Sequence, residues 1–204
     1  MGTVNTKKEI LVFADWRGLL EPVRMGNLTV TPVKGKETFS FEYSNEWLKS
    51  GLSQMLDPDL QLYSGKYYPK DEKANFGIFL DSCPDRWGRV LMKRREAIMA
   101  KNEERKSKAL LESDFLLGVF DEHRMGALRF KLYENGPFLN DNKEMAAPPF
   151  SSLRELEHAS LQFEEDNTED PEYLKWINIL IAPGSSLGGA RPKASVVDAN
   201  NNLW

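Results

Sequence analysis

Between residues 10 and 43 the chain sets short apolar runs against turn signals. Ile10-Leu11-Val12-Phe13-Ala14 predicts a first strand, and Asp15-Trp16-Arg17-Gly18 predicts the turn after it. Residues 23–30 and 38–43 alternate in character with Gly35 between them, which predicts two further strands of a small antiparallel sheet. Ser44 then stands where a hydroxyl can cap a short helix running through Trp47 and Leu48. From 56 to 73 the pattern is broken by Pro58, Gly65 and Pro69, so loops with short extended pieces are expected.

The period then changes from two to about 3.6. A helix over residues 85–99 aligns Trp87, Val90, Leu91, Arg94 and Ile98 along one side as a core stripe, with Arg86, Arg89 and Lys93 on another. A second helix is expected from Lys108 through Phe120, turning out at Glu122-His123-Arg124. Residues 126–132 alternate apolar and basic side chains as a half-buried strand does. Asn135-Gly136-Pro137 and Ala146-Ala147-Pro148-Pro149 bracket a linker. Beyond it, Ser152 and Glu155 stand in capping-box spacing at the head of a helix through about Glu165. Asp170-Pro171 is a cap and first-turn signal for a helix carrying Tyr173, Trp176, Ile177 and Leu180. The pattern as a whole predicts an α+β chain in three blocks: a β-rich subdomain with helices over 1–135, a linker over 136–150, and a further block opening with new helices over 151–204.

Composition narrows this picture modestly. With 27 Lys+Arg against 31 Asp+Glu the net charge is −4, without the overall basic excess of a dedicated nucleic-acid binder. Cys83 is the single cysteine, so no intramolecular disulfide or cysteine-based zinc site is available. The apolar segment 10–14 is too short for a signal peptide core or a membrane span, and a cytoplasmic protein is expected. His123 has no second histidine, cysteine or acid at ligand spacing, so no metal site is expected. The Arg86, Arg89 and Lys93 stripe fits either a solvated face or a phosphate contact.

The densest candidate chemistry lies at Ala182-Pro183-Gly184-Ser185-Ser186-Leu187-Gly188-Gly189-Ala190-Arg191-Pro192-Lys193-Ala194. Glycines let successive backbone N–H groups converge on an anion, and Arg191 and Lys193 add full positive charge. A Walker loop is excluded because Ala190 stands where its lysine belongs. Gly184-Ser185-Ser186-Leu187-Gly188 matches a nucleophile elbow. That motif needs a helix after the serine and a later histidine, whereas Pro192 and a β-branched pair follow and both histidines come earlier. A kinase-type glycine-rich loop between strands fits the context, against the plainer alternative of a Gly/Ser surface turn.

Four pieces in order resemble the HipA family of bacterial Ser/Thr kinases. They are the N-terminal strands; Phe79-Leu80-Asp81-Ser82-Cys83-Pro84-Asp85-Arg86-Trp87-Gly88-Arg89; Arg124-Met125-Gly126-Ala127-Leu128-Arg129-Phe130; and Gly188-Gly189-Ala190-Arg191-Pro192-Lys193-Ala194. The resemblance covers essentially the whole chain but about the first half of such a kinase. It implies a β-rich N-terminal subdomain followed by the beginning of a kinase-like lobe, whose ATP-phosphate loop runs through Ser185, Ser186, Leu187, Gly188, Gly189, Ala190, Arg191 and Lys193. It further implies ATP and Mg2+ in the complete kinase, and a toxin that phosphorylates a translation factor such as an aminoacyl-tRNA synthetase. A HipB-like helix-turn-helix antitoxin would link it to operator DNA. Autophosphorylation on a loop serine, Ser186 with Ser185 as rival, would eject the loop and switch the kinase off.

The chain departs from the family pattern at Trp204, which resembles the aromatic just before the family's ATP-binding lysine. No catalytic residue is therefore expected within 1–204, and this polypeptide is expected to be inactive alone. Two readings stand beside the kinase one. The first is a binding module that neutralises or scaffolds such a kinase in trans. The second is a nucleic-acid contact through Arg86, Arg89 and Lys93.

Overall fold

The computed structural model describes residues 7–143, 153–164, 177, 180, 196–200 and 202. Strands β1 (Lys8–Ala14), β2 (Val23–Val33), β3 (Lys36–Tyr43), β4 (Lys66–Tyr67) and β5 (Leu128–Lys131) form one antiparallel sheet in the order β4-β3-β2-β1-β5. Five α-helices accompany it among the described residues: α1 (Asn45–Lys49), α2 (Gly77–Asp81), α3 (Arg86–Asn102), α4 (Glu112–Gly118) and α5 (Leu153–Glu164). The fold is α+β, as the change of period along the chain predicts. No helix among the described residues is long and apolar enough to cross a membrane.

The hairpin β2–β3 closes at Val33↔Lys36 through Lys34 and Gly35, both at positive φ (47° and 79°). A two-residue loop of that handedness matches the twist of the strands it joins. Between β1 and β2 the register shifts after Val12, leaving Met25 as the extra residue that bulges toward Ser44, whose N–H donates to the Met25 carbonyl at 2.8 Å. Ser44 also caps α1, its Oγ accepting from Trp47 N at 3.0 Å.

Chain contacts divide the molecule into two compact units. The first takes residues 1–82, 111–117 and 126–139, and the second 83–110, 118–125 and 140–204. Each unit thus gathers separated stretches, a different partition from the sequence-continuous blocks 1–135, 136–150 and 151–204.

In the first unit, one sheet face carries Ile10, Val12, Leu28, Phe39, Phe41 and Phe130, all buried. Phe79 of α2 meets this face, its ring centroid 5.4 Å from Phe41 and 6.2 Å from Phe130. The helix α2 was not expected from the local pattern. Its cap comes from afar: Asp57 Oδ2 accepts from Ile78 N at 2.9 Å, and Oδ1 accepts from Asp59 N at 2.8 Å. A second long-range cap serves α4, where Glu37 of β3 accepts from Ser113 N (2.8 Å) and Ser113 Oγ (2.6 Å), with Lys8 Nζ donating to the same hydroxyl at 2.9 Å.

The expected helix start at Lys108 is corrected to Glu112. Lys108 N donates to Glu96 Oε1 (2.7 Å) and Leu111 N to Asp114 Oδ2 (3.0 Å), so carboxylates hold N–H groups at both ends of the stretch before the first turn. The helix α3 begins where expected, with Asp85 Oδ1 accepting from Gly88 N at 2.9 Å, and runs three residues further than the pattern suggested. Val90, expected in its core stripe, is 39% exposed, whereas Trp87 and Leu91 are buried.

Candidate functional site

The expected loop residues Ser185, Ser186, Leu187, Gly188, Gly189, Ala190, Arg191 and Lys193 lie outside the described residues, as does the capping-box serine Ser152. The described positions on either side of the loop share one core. Ile177 and Leu180 before it and Val196 after it pack in a buried cluster with Trp87, Leu91, Phe120, Leu156 and Ala159. Complete burial of aliphatic side chains of this size contributes about 1.5–3 kcal/mol each, so the two ends of the loop are strongly anchored in the same unit. Following Val197 the chain turns: Asp198 Oδ1 accepts from Asn200 N (2.8 Å) and Asn202 N (2.9 Å), while Asp198 N donates to Asn202 O at 3.0 Å.

The motif residues that suggested the family serve visible structural purposes. Asp85 caps α3, and Trp87 fills the core that also takes the loop's flanks. Arg89 Nε donates to Pro84 O at 3.2 Å, tying the helix to its own entry turn. Arg124 is buried and donates through Nη2 to Val119 O at 3.0 Å. His123 closes a 3₁₀ turn at Asp121–His123 with its ring against Phe120, centroids 5.0 Å apart. Burial pushes the His123 imidazolium pKa down, with the Glu122 charge pulling the other way. No group of three or more His, Cys, Asp or Glu among the described residues could hold a metal ion.

A separate open cavity of about 260 Å³ in the first unit is lined by Arg24, Asn27, Glu42, Ser44 and Glu46, among others. Arg24 is already engaged, donating to Glu134 Oε2 and to Asn27 Oδ1, both at 2.9 Å. With its one cation paired and two carboxylates on its wall, this cavity is unsuited to a phosphate. No protein-family model, curated protein or solved structure matches the chain. The functional reading therefore rests on the residues themselves.

Sequence reasoning missed the carboxylate that organises the chain beyond α3. Glu96 accepts from both Nη1 (2.6 Å) and Nη2 (3.0 Å) of Arg105 and from Lys108 N, a fork whose only sequence signal is an acid in an otherwise basic helix. The Arg105 guanidinium and then the Lys108 amide hold the Glu96 carboxyl at about 2, well below its ordinary 4.5. Because the folded value is the lower one, the contribution is complete above about pH 4.5 and is lost as pH falls toward 2. Wild type should exceed Glu96→Gln by about 1–2 kcal/mol at neutral pH, a figure discounted because Arg105 is partly exposed. Urea denaturation of both from pH 7 downward should show the gap closing in that window. A gap independent of pH would assign the effect to packing.

Proposed function

We propose that the chain is the N-terminal portion of a HipA-like serine/threonine kinase toxin, contributing an ATP-phosphate loop and a surface for a helix-turn-helix antitoxin. The observation that carries this reading is the joint order of three motifs, at 79–89, 124–130 and 188–194, behind a run of N-terminal strands. Any one of them would be weak; their sequence along one chain is the specific feature. The antiparallel sheet in the described residues is compatible with the β-rich subdomain such a kinase has, and the shared core of Ile177, Leu180 and Val196 supports a loop held at both ends.

On this reading the backbone N–H groups around Gly188 and Gly189 take the ATP phosphates, with Arg191 and Lys193 supplying charge. What residues 1–204 contribute to such a kinase is the loop. A phosphate on Ser186 adds about −1.5 to −2 charges beside the same donors and competes with the nucleotide for them, which makes the loop its own switch. The substrate is a protein, with a translation factor such as an aminoacyl-tRNA synthetase as the class to examine. The second reading, a module that binds a separate kinase in trans, is favoured by the self-contained sheet of the first unit and disfavoured by the glycine-rich loop.

The test is intact-mass analysis of the native gene product containing these residues, incubated with ATP and Mg2+. One phosphate should be taken up by wild type and by Ser185→Ala, and none by Ser186→Ala. Equal uptake by wild type and Ser186→Ala would rule out the proposed switch. No uptake by any form, together with retention of a separate kinase on the immobilised chain, would favour the trans-acting module.

A further inference from the structure

We draw no further inference here: the strongest candidate, the exposed apolar side chains Leu52, Met55, Leu62 and Tyr63 on the loop between α1 and β4, is a surface patch for which nothing in the structure shows what covers it.

Discussion

Phe79→Ala should lower the unfolding free energy of the sheet-bearing unit by about 3–5 kcal/mol, read as a fall in the urea midpoint at unchanged slope. The ring is 1% exposed and stands at the centre of an aromatic group, with centroids at 5.4 Å from Phe41, 5.9 Å from Phe76 and 6.2 Å from Phe130. Truncation therefore removes the transfer free energy of a whole phenyl group and leaves a void whose walls, other rigid rings, cannot collapse into it. It also removes edge-on ring contacts worth about 0.5–1.5 kcal/mol each beyond their area. Phe79→Leu separates the two contributions: it keeps most of the volume and loses the ring geometry, so its cost should be under half that of alanine. Near-ultraviolet circular dichroism should weaken in both variants, because Phe41, Phe76 and Phe130 lose their fixed neighbour. A cost below about 1 kcal/mol for the alanine form would mean that α2 does not anchor the sheet face.

What could be read from the residues alone divides by the range of the forces involved. The strands are legible because alternation is local and one face of each is buried; Ile10 and Val12 announce their face without reference to anything distant. The local cap at Ser44 is legible for the same reason, its hydroxyl accepting from an N–H three residues on. The helix α2 is five residues long and opens at Phe76, which offers no side-chain acceptor, so its existence depends on a carboxylate 21 residues upstream. The start of α4 likewise depends on Glu37, 76 residues away. Helical spacing alone placed Val90 with Trp87 and Leu91, whereas exposure follows from which neighbours cover each position; Val90 sits between Arg86 and Arg94 on the open side. For the glycine-rich loop the sequence carries the chemistry, and the described residues contribute its anchors, Ile177, Leu180 and Val196, in a core with Trp87. Trp87 thus packs in the same core as the residues that flank the loop, and its packing alone accounts for its burial.

The long-range cap supplies the second large expected effect. Asp57→Ala should cost about 3–5 kcal/mol, because it deprives two backbone N–H groups of a carboxylate, and hydrogen bonds to a charged acceptor contribute about 1.5–3 kcal/mol each. Asp57 is 3% exposed and Asp59 8%, so water replaces the lost acceptor poorly. Asp57→Asn should recover only part of the loss. It offers one oxygen to a pair of donors at 2.8 and 2.9 Å, and its NH2 must then face the other N–H. The damage should also reach Asp59, which is positioned by the first of those bonds to receive Lys73 at 2.7 Å and Lys70 at 3.7 Å. The Lys73 hydrogen bond in particular holds the Asp59 carboxyl below its ordinary value. In Asp57→Ala that carboxyl should titrate nearer its ordinary value, a movement visible by NMR and absent from a variant that merely thins the core, such as Phe79→Leu. The direction is fixed by linkage: a depressed carboxyl stabilises the fold above its unfolded value and ceases to do so as pH falls, so the Asp57 variant should lose less stability on acidification than wild type does. Full retention of the Asp59 titration in Asp57→Ala, with a cost under about 1 kcal/mol, would show that the turn at Asp59 and the start of α2 form without the carboxylate that bridges them.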